Sequence, residues 1–232
     1  MIDAALLEKL KTYDTPTICN ALEIVEPTRR LTGFTTKQLV CPFPDLAPII
    51  GYAKTATIRA SHAHELNAKD QKVQRLAYYE YVAGKPAPGI SIIQDLDGGD
   101  VGFGAFWGEV QSTVHKALGL VGVVTDGCIR DIPQWAPGFQ ALAGSIAPSH
   151  AHVHLADFGK EVRVAGMLVR SGDLIHADRH GAVVIPEQAA AKIPAACDLL
   201  TRKEAVILDM ARMPGFTIAK LRDALNKMDE IH

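Results

Sequence analysis

Between Gly89 and Asp126 the chain reads GISIIQDLD, a Gly-rich link, EVQSTVHKALG and LVGVVTD, and this succession limits the possible folds more than any other stretch. Two apolar, β-branched runs flank a segment in which Val110, Val114, Ala117 and Leu118 recur at helical spacing. The pattern predicts strand, helix, strand, with those four residues on the core-facing side of the helix. Gly119 stands where a helix C-cap glycine belongs. Continuous apolar strands are typical of parallel sheets, and a crossover of this kind is right-handed, so a helix-covered parallel pair is expected.

Outward from this unit, YAKTATIRA reads as another strand and AKDQKVQRLAYYEYVA as a helix. DTPTICNALE reads as a helix with Thr15 as N-cap and Pro16 in its first position. FQALAGSIAP, HVHLADFG, EVRVAGMLV, DLIHAD and GAVVIP are short strand-like pieces between Gly and Asp turns, which makes the second half β-rich. From PEQAAAKIPAACDLL to the last residue the pattern is helical, with interruptions at Pro194 and near Pro214. No composition break marks a linker, so one α/β domain over residues 1–186 and a C-terminal helical extension over 187–232 are expected.

Charge and cysteine usage narrow the function classes. Lys plus Arg total 24 against 26 Asp plus Glu, a balance that gives no reason to expect nucleic acid or an anionic membrane as partner. Cys19, Cys41, Cys128 and Cys197 lie far apart without a CxxC pair, which argues against a zinc knuckle or disulfide framework and for reduced thiols in the cytoplasm. MIDAALLEKLKTYD places acids within a helix-like pattern and has no long apolar core, so neither an export signal nor a membrane span is expected there.

Two stretches invite cofactor readings. Gly102, Gly104 and Gly108 precede a helix as GxGxxxG, but LDGGDV separates them from the strand and Phe103, Phe106 and Trp107 crowd the turn, so dinucleotide binding is disfavoured. The helix start still offers free amides and the positive end of a dipole to a small anion. HAHE at His62 and SHAHVH at His150, His152 and His154 have metal-like spacing. If the latter is a strand its three imidazoles share a face, either to bind zinc or manganese or as a polar outer surface. His176 and His180 flank an expected hairpin turn and read as structural.

GVVTDGCIRD, Gly122 to Asp131, ends the second strand of the crossover with Asp126, Arg130 and Asp131 close together. Asp126 belongs to an Asp-Gly turn. Glu109 opens the helix of the same crossover, so Glu109, Arg130 and Asp131 are expected at one carboxyl-terminal sheet edge. Two acids and a guanidinium suit a hard divalent cation together with a bound carboxylate or developing oxyanion. Asp131 has a second reading, because DIPQ also fits an N-cap with Gln134 completing a capping box.

GAFWGE, VGVVTDGCIRD and SGDLIHADRHGAVVIP, in this order, resemble the RraA-like family, which includes class II 4-hydroxy-4-methyl-2-oxoglutarate aldolases, members labelled dimethylmenaquinone methyltransferases, and the regulator of ribonuclease activity. The likeness runs from about DTPTICNALE to GAVVIP, and its most specific element is an acid, twenty intervening residues and Arg-Asp, met by Glu109, Arg130 and Asp131. The resemblance implies a layered α/β/β/α fold with a mixed sheet, assembled as trimers or pairs of trimers. It further implies that Asp131 binds Mg²⁺ or Mn²⁺ directly, that Glu109 reaches the ion through a water, and that Arg130 binds the keto oxygen of a small 2-keto acid. The backbone of Gly108, Glu109, Val110 and Gln111 would receive its carboxylate. The implied activity is pyruvate aldolase or oxaloacetate decarboxylase; the alternative is a non-catalytic, protein-binding regulator of a ribonuclease. Glu109, Gln134 and Asn20 stand where the characterised aldolases often carry Asp, an acid and Asp respectively, and the displaced Gly-rich loop offers no adenosylmethionine site.

Overall fold

Alternation along the central strands assigns successive side chains to opposite faces of a sheet, and both faces are covered. The computed structural model describes residues 2–231. The first half contains α1 (Ala4–Leu10), α2 (Thr15–Val25), β1 (Ile49–Arg59), α3 (Ala68–Ala83), β2 (Gly89–Asp95), β3 (Ala105–Trp107) and α4 (Glu109–Ala117). Short strands follow: β4 (Leu120–Thr125), β5 (Cys128–Ile129), β6 (Gln140–Leu142), β7 (Ser145–Ile146), β8 (His154–Phe158), β9 (Val162–Val164), β10 (Met167–Val169), β11 (Leu174–Asp178) and β12 (Gly181–Ile185). The chain ends in α5 (Glu187–Ala190), α6 (Ile193–Arg212) and α7 (Ile218–Asp229).

The main sheet is mixed, in the order β12-β11-β1-β2-β4-β6, with β8 also paired to β1. Strands β1, β2, β4 and β6 run parallel. The long β1 pairs antiparallel with β11 over Ile49–Tyr52 and with β8 over Ala56–Arg59. The expected β2, α4, β4 crossover is present, and Gly119 closes α4 with a φ of 91°.

Ile93 and Val123 face the helical side of the sheet, where they pack with Tyr78 of α3, Trp107 and Trp135. Their neighbours Ile92 and Val124 face the other way and meet Val162, Val164, Met167 and Val169 of the β9-β10 hairpin. At the far end of the helical face, Leu10, Ile18 and Leu22 of α1 and α2 pack with Ile50, Leu174, Val183 and Ile193. Pro194 lies in the first turn of α6, where its missing N–H has no intrahelical partner to lose. No described helix is long and apolar enough to cross a membrane.

Two local expectations are corrected. Asp14, not Thr15, caps α2, accepting the Thr17 N–H at 2.8 Å. Thr15 instead turns inward; its N–H donates to Asp178 Oδ2 at 2.9 Å and its Oγ1 lies 3.0 Å from His176 Nδ1. The face of α4 carrying Val110, Val114, Ala117 and Leu118 is not the buried one. Ser112 and His115 are buried, while Val110 is 69% exposed. Partners from outside the helix reverse the polarity rule: Tyr78 Oη lies 2.9 Å from His115 Nε2, and Ser112 Oγ accepts the Ala136 N–H at 3.1 Å.

Candidate active site

A second, smaller sheet positions the candidate residues. Strand β3 pairs with β5 and β5 with β7, all parallel. Strand β3 lies inside the stretch read from sequence as a Gly-rich loop; the one signal for it was the triplet Ala105, Phe106, Trp107, which is buried, half-buried, buried. Trp107 ends β3 wholly buried and stacks on Phe139 with ring centroids 5.8 Å apart. Ile129 ends β5, also wholly buried. Gly108 and Arg130 thus each follow a buried anchor, and the Arg130 N–H donates to Trp107 O at 2.9 Å.

Gly108 opens α4 without a side-chain cap, leaving the first-turn amides to other partners. The Asp131 carboxylate lies across this helix start. Its Oδ2 accepts from the Glu109 N–H at 3.4 Å and lies 3.5 Å from Arg130 Nε. Both distances are long, so most of the acceptor capacity of the carboxylate is open to a ligand. The side chains of Arg130 and Asp131 are 35% and 39% exposed, and Glu109 is exposed beside them. Gly108, Glu109, Arg130 and Asp131 therefore meet in one half-open niche, with the Val110 and Gln111 amides in the same helical turn.

The capping box that DIPQ also fitted does not form. Ile132–Gln134 is a single 3₁₀ turn in which the Gln134 N–H donates to the Asp131 main-chain oxygen at 3.0 Å, while the Asp131 side chain makes no capping bond to that turn. The reason lies in the backbone of Asp131, which is left-handed at φ 54° and ψ 40° and directs the side chain toward α4 instead. Holding a non-glycine residue there costs about 1–2 kcal/mol, the kind of strain that collects at functional positions.

Asp126 has a different role. Its Oδ1 accepts the Asp95 N–H at 2.8 Å, tying the end of β2 to the turn after β4, and burial raises its pKa to about 6. The three histidines of SHAHVH do not share a strand face. Strand β8 begins only at His154, and Ala151 interrupts the run with a φ of 47°. Among the described residues no three His, Cys, Asp or Glu side chains gather into a metal-binding group, so the zinc-like reading of these histidines and of His62 is not realised. His176 is buried in β11, where burial lowers its pKa to about 4, and His180 closes the β11-β12 hairpin with Nδ1 3.1 Å from Asp178 Oδ1.

The family model described as RraA-like, Aldolase/RraA, matches residues 15–184. A Marinomonas sp. (strain MWYL1) protein provisionally named a 4-hydroxy-4-methyl-2-oxoglutarate aldolase is 35% identical over 98 residues, which cover 41% of this chain and 60% of that protein. An uncharacterised Methanocaldococcus jannaschii protein is 32% identical over 124 residues, covering 53% of this chain and 58% of its own length. The chain thus spans less than two thirds of these relatives. Two solved structures share the fold. One is an uncharacterised protein from Pseudomonas syringae pv. tomato, with a TM-score of 0.68, 20% identity and coverage of 95% of this chain and 98% of its own. The other is Streptomyces coelicolor RraAS2, described as an unusual member of the RNase ES inhibitor RraA protein family, with a TM-score of 0.67, 21% identity and coverage of 91% and 98%. Because the family match runs from the start of α2 into β12 and includes the whole niche, the chain belongs to the RraA-like, Aldolase/RraA family.

Proposed function

We propose that the protein is a divalent-metal-dependent lyase for small 2-oxo acids, cleaving a 4-hydroxy-2-oxo acid in the retro-aldol direction, decarboxylating oxaloacetate, or both. The observation that carries this reading is the meeting of the Asp131 carboxylate, the Arg130 side chain and an uncapped helix start in one half-open niche. The names of the aldolase relatives support it at family level.

The residues divide the work by charge. The Val110 and Gln111 amides, at the positive end of the α4 dipole, suit the substrate carboxylate. In the retro-aldol direction the 4-hydroxyl gives its proton to solvent as C4 becomes a carbonyl, and in decarboxylation C4 leaves as carbon dioxide. In both, the C3–C4 electron pair delocalises onto the 2-oxo oxygen, where the Arg130 guanidinium stabilises the charge until C3 takes a proton from water to give pyruvate. Mg²⁺ or Mn²⁺ fits the donor set, since a hard ion that retains most of its waters needs only one or two protein carboxylates. Asp131 would hold it directly and Glu109 through a water; the bound ion would supply Lewis-acid stabilisation of substrate oxygens. Loosely held Asp131 oxygens, rather than a closed cage, agree with that kind of binding.

Exposed Val110 lies on α4, exposed Ile146 on β7 of the smaller sheet, and exposed Val101 and Phe103 in the loop that leads into β3. They support closure of the site by a second copy of the chain, as in a trimer or a pair of trimers.

The test is a coupled pyruvate-release assay on oxaloacetate and a panel of 4-hydroxy-2-oxo acids with Mg²⁺, Mn²⁺ or chelator. Metal-dependent release is expected. Absent or chelator-insensitive release across the panel would replace the lyase by a non-catalytic regulator of a ribonuclease, detectable as a pull-down partner retained by Asp131→Ala.

A further inference from the structure

A cavity of about 470 Å³ opens where the end of α2, the turn between β10 and β11 and the end of β12 come together, and it shares no residue with the niche of Arg130 and Asp131. Arg29, in the 3₁₀ turn Pro27–Leu31 that follows α2, lines it. The side chain is half-buried and donates one hydrogen bond among the described residues, from Nη2 to Val184 O at 2.9 Å. Its Nε is buried with no acceptor, and no described carboxylate forms an ion pair with the guanidinium.

The surroundings are built to hold this cation in place. A Cβ at residue 33 would overlap the Arg29 guanidinium, so only glycine leaves it room; Gly33, at a φ of 85°, also accepts the Val184 N–H through its own oxygen at 2.8 Å. A half-buried guanidinium with an orphaned N–H lowers stability, because the lost hydration is not replaced by protein acceptors. Packing therefore does not account for the arrangement, whereas an anion bound in the cavity does.

The rest of the wall says what else the ligand carries. Arg170 pairs through Nε with Glu161 Oε2 at 2.8 Å, which leaves both of its Nη groups to donate. Two carboxylates face the same space. Glu26 Oε1 accepts from Thr28 Oγ1 at 2.9 Å and Asp173 Oδ2 from the Arg170 N–H at 2.8 Å, so each keeps a second oxygen to accept from a ligand. Leu168, Val184 and Pro186 supply an apolar part. A plain anion would satisfy Arg29 but lie against two carboxylates, and a plain cation would leave Arg29 unpaired; a zwitterion answers both signs. The volume lies within the ordinary range of small-molecule sites.

We propose that this cavity binds a free aliphatic α-amino acid, with its carboxylate on the Arg29 and Arg170 guanidinium groups, its ammonium at the Glu26 and Asp173 carboxylates and its side chain against Leu168, Val184 and Pro186. The site is independent of the lyase reading.

Calorimetric titration of the full chain with three ligands of one carbon skeleton tests it. L-leucine should bind at millimolar concentration, while 4-methylpentanoate, which lacks the ammonium, and 3-methylbutylamine, which lacks the carboxylate, should each bind about tenfold more weakly or worse, as expected for losing a charged hydrogen-bonding group. Arg29→Gln should abolish leucine binding. Because Arg29 also holds the Val184 oxygen, Glu26→Gln gives a second arm that leaves that contact in place: it should weaken L-leucine about tenfold and leave 4-methylpentanoate unchanged or tighter. No binding of L-leucine, equal binding of the three ligands, or leucine binding that survives either substitution in folded protein would overturn the assignment.

Discussion

Asp131 can lay its carboxylate across the start of α4 because residue 108 is glycine; a methyl group on Gly108 would overlap Asp131 Oδ2. The backbone at Gly108, φ −165° and ψ −159°, is extended and open to any residue, so the requirement comes from the neighbouring carboxylate and not from the chain conformation. Gly108→Ala should therefore fold normally by circular dichroism and lose about 10- to 100-fold in metal affinity, the usual effect of disturbing a ligand's support. Unchanged Mn²⁺ binding by calorimetry would show that Asp131 does not hold the ion in this orientation.

Arg130→Ala should reduce metal-dependent pyruvate release about 10²- to 10³-fold, the typical effect of removing one preorganised donor. The side chain is 35% exposed, so the melting temperature should hardly move. Wild-type turnover in this variant would eliminate Arg130 as the group that stabilises developing charge.

Trp107 links the core to the niche, being buried directly before Gly108 and hydrogen-bonded through its oxygen to Arg130. Trp107→Ala should cost about 3–5 kcal/mol in urea unfolding, as expected for truncating a buried aromatic. Trp107→Phe should retain most of the stability, and a loss of turnover larger than its loss of folded protein would measure how far that anchor aligns the site.

Stability should fall as pH is lowered from about 7 to 5. Burial depresses both His115 and His176 to about 4, below the ordinary 6.5. The unfolded chain protonates these groups near pH 6.5 while the folded chain keeps them neutral to about 4, so the unfolded state binds more protons in that window. At about 1.4 kcal/mol per pKa unit, each histidine accounts for about 2 kcal/mol of loss at pH 5. Asp126 acts in the opposite sense, because its pKa is raised to about 6 and the folded chain takes up that proton first. Urea titrations across this range should show a net decline smaller than the sum for two histidines, flattened in His115→Gln; a pH-independent wild type would contradict the burial argument.

The cap of α2 gives a separate test of local structure. Asp14→Ala should destabilise by about 1 kcal/mol, whereas an alanine at Thr15 acts through the buried contacts with His176 and Asp178 and leaves the cap intact. Equal helix fraying in both variants, measured by hydrogen exchange at Thr17, would mean that the two positions share the capping role.

Most elements were legible in the residues because local periodicity states them directly. AKDQKVQRLAYYEYVA is α3 from first residue to last, and the runs around Ile92 and Val123 are parallel strands covered on both faces. Glu109 and Arg130 were expected at one sheet edge and do meet, but at the ends of β3 and β5 in the smaller sheet and not at the edge of the β2-β4 pair. Other features depended on partners remote in sequence. Whether His115 or Val110 faces inward was decided by Tyr78, thirty-seven residues from His115, and three-residue β3 exists only because β5 pairs with it. Asp131 is the plainest case. As a sequence, DIPQ leaves Asp131 open between a helix cap and a site residue; in the folded chain, a left-handed backbone and the space above Gly108 turn the carboxylate toward Arg130 and the α4 N-terminus, since side-chain direction depends on backbone torsions and vacancies that only packing creates.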